Sequence, residues 1–151
     1  MNAGKIAIVL WTLTVGAFAF YFVQGVTSHS SDDRRAIHLD PQEKDMVLGE
    51  MRTILSAVNG ILTGLSKADP TAVSQAAKSA GMTMAVDGSP VLIAKLPMEF
   101  KAIGLSLHGD FDKLSADVDA GLPSDQVITR LSEITNKCVS CHHDYRLRSK
   151  E

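Results

Sequence analysis

The apolar residues divide the chain into one unbroken run and, after a polar interval, four periodic stretches. Ile6 to Val26 contains no charged residue. A helix needs about 20 apolar residues to cross a bilayer, so this run is long enough to span. It also exceeds the roughly 7–15 residues of a cleavable leader's apolar region. Trp11 and Tyr21 lie towards opposite ends, as interfacial aromatics often do. Residues 1–26 are therefore expected to be a membrane anchor. Thr27 to Leu39 is mostly polar and has no clear period, which predicts a tether over 27–39, with His29 and His38 as solvated linker residues.

From residue 40 onward the period is helical. Asp40, Pro41 and Glu43 form an N-cap, a first-turn proline and the far member of a capping box. Val47, Leu48, Met51, Ile54, Leu55, Val58, Ile61, Leu62 and Leu65 then form a stripe. A second, shorter helix is expected from Asp69-Pro70 to Gly81, with Val73, Ala76, Ala77 and Ala80 on its inner side. Met82 to Leu96 is mixed. Met82 and Met84 read as core anchors of a loop, Asp87-Gly88-Ser89-Pro90 as a turn, and Val91 to Leu96 as a short helical piece. A third helix begins near Pro97 with Phe100, Ile103, Leu107, Phe111, Leu114 and Val118 inward, and stops at Gly121. The fourth begins at Pro123-Ser124 and carries Val127, Leu131, Ile134, Cys138, Cys141 and Tyr145. No stretch reads as a strand. The pattern predicts a helical domain over 40–151.

Composition adds little that alters this picture. The formal net charge is −2, which gives no reason to expect a nucleic-acid partner. The chain has only two cysteines, and both fall in Cys138-Val139-Ser140-Cys141-His142. A Cys-x-x-Cys-His run is the attachment pattern of a c-type haem: two thiols bond one porphyrin edge and the histidine gives its imidazole to the iron. On a helix the three side chains share one face. Two cysteines fall short of a four-ligand zinc site. An i, i+3 disulfide within a helix would be strained, and a redox dithiol is expected beside a βαβ pattern that is absent. The expected cofactor is one covalent haem c, with Cys138 and Cys141 holding it and His142 as proximal iron ligand.

The Cys138-x-x-Cys141-His142-x-x-Tyr145-Arg146 run, with four amphipathic helices before it, resembles the cytochrome c′ family and its low-spin relatives over about residues 40 to 148. The resemblance implies an all-α fold: a single N-terminal transmembrane helix, then an antiparallel four-helix bundle of cytochrome c′ type. It also implies that Arg146 lies on the proximal side of the haem and that the distal residue comes from the first bundle helix. The anchor departs from the soluble form usual in that family.

Two residues compete for the distal position. Met51 falls in the middle of the first bundle stripe, whereas Met46 falls on the opposite side. His108 lies at the edge of the third stripe, with Asp112 one turn later as a possible orienting carboxylate. Met51 is the first choice, and flexible core filler is its bland alternative.

A second strong ligand suits one-electron transfer, whereas an open distal side suits a small gas. The chain is thus expected to be a non-enzymatic electron carrier or redox-complex subunit. Its partners would be the membrane and redox complexes in that membrane, with no small-molecule substrate. Haem c is attached on the periplasmic side, so the expected location is a bacterial inner membrane with the C-terminal domain in the periplasm. The alternatives are a nitric oxide or carbon monoxide binder with Leu55 or another apolar residue over an open iron, and an accessory structural subunit.

Overall fold

The computed structural model describes residues 3–85 and 89–149. It is mostly helical, and the helix boundaries follow the capping residues. Helix α1 (Ala3–Gln24) has no buried residue and is long and apolar enough to cross a membrane. A hairpin follows, made of β1 (Thr27–His29) and β2 (Arg35–Leu39). Then come α2 (Pro41–Ser66), α3 (Pro70–Ser79), α4 (Met82–Ala85), α5 (Pro90–Lys95), α6 (Met98–Asp119), α7 (Ser124–Asp144) and a last strand β3 (Tyr145–Ser149).

The caps act as their residue types dictate. The Asp40 backbone N–H donates to Glu43 Oε2 at 2.9 Å, and Asp69 accepts from the Ala72 N–H at 3.0 Å. Helix α2 packs along α3, α3 along α6, and α6 along α7. These four helices enclose one core, in which Ile61, Ala77 and Phe111 are completely buried. Ser74 and Ser115 cross that core as a hydrogen-bonded pair at 2.9 Å, so their hydroxyls are satisfied away from water.

Two expectations about the architecture need correction. The interval 27–39 is not a tether, and the chain is not all-α. β1 and β2 pair antiparallel, with Thr27 opposite Ile37. β2 then pairs parallel with β3, with Arg35 opposite Tyr145 and Leu39 opposite Ser149. Ala36, Ile37 and Leu39 are completely buried. The polar run conceals three apolar residues that α2, α5 and the last strand cover. At the other end of the chain, the helix stops at Asp144 rather than running on through Arg146. Tyr145 is extended, with φ −126° and ψ 151°.

The sheet gives the domain a second core beside the end of the four packed helices that lies nearest α1. Ile37, Leu39, Val47, Leu92 and Tyr145 form its centre, and Met51, Phe100, Cys141 and Leu147 pack against it. Some of the α2 stripe falls outside both cores: Leu55 is 68% exposed and Leu62 50%. Met82 is also exposed, contrary to its expected role as a core anchor, while Met84 is half-buried. Asp87 and Gly88 of the expected turn lie outside the described residues. Ser89 caps α5 by accepting from the Leu92 N–H at 3.1 Å.

Candidate haem site

The last two turns of α7 carry Cys138, Cys141 and His142, and the strand that follows directly carries Tyr145 and Arg146. Cys138 packs against the four-helix core and Cys141 against the second core, so the pair bridges the two. A cavity of about 330 Å³ lies between α2, the end of α7 and β3. Leu48, Met51, Phe100, Cys141, His142 and Leu147 line it, with Lys44, Arg34 and Arg146 adding cations. Met51 and His142, separated by much of the sequence, thus face one space. His142 is exposed, whereas Met51 is half-buried.

A wider, more polar cleft of about 1050 Å³ lies beyond His142, lined by Gln24, His29, Asp32, Arg35, Glu99 and His143 among others. Neither cysteine lines it. A flat apolar group bonded to Cys141 therefore suits the smaller cavity better.

The residues around His142 are held by ion pairs. Asp32 Oδ2 accepts from Arg34 at 2.6 Å and from Arg146 at 3.3 Å, and Ser30 also donates to this carboxylate. These hydrogen bonds, Arg34's foremost, hold the Asp32 carboxyl well below the usual carboxylate range. Arg34 reaches further, donating to the His142 carbonyl at 3.4 Å. Tyr145 donates to Glu99 Oε2 at 3.0 Å and meets Phe100 edge-on at 5.5 Å. Burial, then the Glu99 carboxylate, pushes the Tyr145 phenol up. Arg146 is therefore tied to the hairpin by Asp32, on a strand rather than one helical turn past His142.

His108 is placed elsewhere. It is 5% exposed, and its Nδ1 lies 2.7 Å from the Ala80 carbonyl, to which the ring donates. That carbonyl belongs to the C-cap of α3. Asp112 does not orient the ring through any observed hydrogen bond. Its Oδ2 accepts from the Met82 N–H at 2.9 Å. A Cβ on Gly81 would stand 1.9 Å from Asp112 Oδ1, so the missing side chain is what lets this contact form. His108 and Asp112 thus fasten the α3–α4 junction, and His108 does not line the cavity that Met51 and His142 share.

No family model, characterised protein or solved structure matches the chain. The site is accordingly read from its own chemistry. Burial pushes the Cys141 thiol up to about 11, with Cys138 and Asp144 adding to the effect, and burial also raises Cys138. Both thiols stay protonated near neutral pH, unlike the low-pKa thiolates of redox dithiols. No group of three or more His, Cys, Asp or Glu side chains is arranged to hold a bare metal ion among the described residues.

The donor set a covalently attached haem would need is present: the Cys138 and Cys141 thiols and the His142 imidazole lie within two turns of one helix. Cys141 and His142 line the apolar-walled cavity, Cys138 packs beside it against the four-helix core, and Arg34, Lys44 and Arg146 add cations to the lining. Sequence reasoning missed the contribution of the hairpin, Arg34 and Asp32 above all. The signal was present in Ala36-Ile37-x-Leu39, three apolar residues in a run otherwise too polar to draw attention.

Proposed function

We propose that this chain is a membrane-anchored monohaem c-type cytochrome that passes single electrons between redox proteins of the same membrane, facing the periplasm of a bacterial inner membrane. The observation that carries the reading is the joint lining of one cavity by Cys141, His142 and Met51, within a Cys-x-x-Cys-His run that uses both cysteines of the chain. Haem would supply a one-electron iron couple there. Cys138 and Cys141 would hold it, His142 would take the proximal position and Met51 the distal one, with Arg34, Lys44 and Arg146 near its acidic edge. In this reading the helices α2, α3, α6 and α7 are a variant of the cytochrome c′ bundle, with the sheet closing the haem end. The chain itself performs no bond chemistry.

The runner-up is a gas-binding protein with Leu55 or another apolar residue over an open iron; Leu55 is exposed and does not line the cavity, whereas Met51 does. The deciding experiment is the visible spectrum of the purified protein, oxidised and reduced, with and without carbon monoxide. A covalent low-spin haem indifferent to carbon monoxide is expected, turning high-spin and carbon monoxide-sensitive in Met51→Ala but not in His108→Ala. A high-spin spectrum that shifts with carbon monoxide in the parent would replace electron transfer by gas binding. Absence of covalent haem from protein made with a haem-attachment system would end both readings.

A further inference from the structure

The anchor enters the domain rigidly. Gly25 takes φ +66° directly after α1, and a Cβ there would stand 2.5 Å from the Lys95 carbonyl oxygen and 2.6 Å from Pro97 N. Only glycine passes so close to the α5–α6 junction in this conformation. Val26 then donates its N–H to that Lys95 carbonyl at 2.7 Å and accepts from the His38 N–H at 2.8 Å. Lys101 Nζ donates to the Phe22 carbonyl at 3.0 Å and lies 3.7 Å from the centre of the Phe22 ring. Burial in this contact pushes the Lys101 ammonium down. Arg35 holds Gln24 through its side-chain and main-chain oxygens. Helix α5 and the start of α6 therefore stand beside the last turn of α1, where that helix leaves the bilayer.

Exposed apolar residues lie at this edge of the domain, on the two flanks of α5 and at the start of α6. In α5 only Leu92 is buried, while Val91 is 62% exposed and Ile93 39%; Met98, first in α6, is 41% exposed. Lys95 shows no charge to this surface, because Asp40 and Glu43 hold its ammonium at 2.7 and 2.6 Å. Apolar residues grouped beside the end of a span are covered at least cost by the lipid already there.

We propose that the domain is seated on the bilayer through Val91, Ile93 and Met98, which dip into the interfacial zone of the membrane that α1 spans. The occupant of the patch is lipid, and the seat fixes the Cys141–His142 end of α7 close to the membrane surface. The proposal rests on α1 spanning the membrane and is independent of any cofactor.

Depth-dependent quenching tests it with the full chain in phosphatidylcholine vesicles. For each protein, fluorescence in lipid brominated high on the acyl chains is divided by fluorescence in the plain lipid. In the parent, Trp11 reports the span. In a Trp11→Phe background, Ile93→Trp and Met98→Trp report the seat, and Ile128→Trp, at the opposite end of α7, reports water. Residues buried to the interfacial depth should lose about half their fluorescence at 93 and 98, with none lost at 128. Far-UV circular dichroism equal to the parent's shows that each variant folds. Quenching of Trp11 with none at 93 or 98 would overturn the seat while leaving the span intact, and would give the patch to a second copy or a protein partner. No quenching of Trp11 would remove the span, and the seat with it.

Discussion

The two cores of this protein are built by different rules. The far core, around Phe111, Ile61, Leu114 and Leu131, is made by four helices, each adding residues at helical spacing. The second core, around Ile37, Leu39, Leu92 and Tyr145, draws one or two residues from each of many elements: the hairpin, α2, α5, α6 and the last strand. The first core is periodic. The second is aperiodic and bounds the cavity where Met51, Cys141 and His142 meet. Packing that is locally repetitive makes a scaffold, whereas packing assembled from distant segments leaves room for a site.

Removing a large side chain from each core separates their roles. Phe111→Ala should cost about 3–5 kcal/mol in urea unfolding, because a fully buried ring leaves a cavity that helices cannot close, and should leave any haem spectrum unchanged. Ile37→Ala should cost about 2–5 kcal/mol and, unlike the first, should also disturb the spectrum, because β2 holds β3 and β3 follows His142. Equal spectral effects from the two substitutions would erase the distinction between scaffold and site.

The thiols sharpen it further. In protein made without haem, Cys141 binds its proton more tightly folded than unfolded, since its folded value is about 11 against an ordinary 9.0. That contribution to stability is complete below pH 9 and is lost as pH rises through about 11. Urea midpoints of the haem-free chain should therefore fall across this window. Chains with both thiols bonded to haem should fall less, keeping only the part due to other raised groups such as Tyr145, and an equal fall in the loaded protein would mean that Cys141 is free.

The smallest effect concerns the junction where the competing histidine was found. Gly81→Ala forces the Asp112 carboxylate aside and costs its hydrogen bond to the Met82 N–H, about 1 kcal/mol in thermal or urea unfolding. It should leave the spectrum untouched, as His108 is engaged with Ala80.

The far core was legible in the sequence almost residue by residue. Asp40, Asp69 and Pro123 mark the helix starts, and Phe111, Leu114, Val127 and Leu131 lie where the period puts them. Met51 also read correctly as an inward residue, though not what it would face. Leu55 did not, because the stripe on α2 is wider than the surface its neighbours cover. The strands were hidden for two reasons. Ala36 and Ile37 are consecutive and both buried, so β2 has no alternation to detect. Tyr145-Arg-Leu-Arg does alternate, but it continues a helical stripe through Cys141 and was absorbed into it. The cavity was illegible because its walls come from both ends of the chain, which no local period connects.

The parallel pairing of β2 with β3 also sets an order in time. β2 leaves the ribosome directly behind α1, while its partner follows only after all the helices from α2 to α7. Contacts this distant in sequence form slowly, and the helices between can settle first. Until β3 arrives, β2 keeps one open edge, and the Cys138–His142 turn is not yet clamped by Arg34, Asp32 and Arg146. The Cys138–His142 turn is thus locked only when the sheet closes.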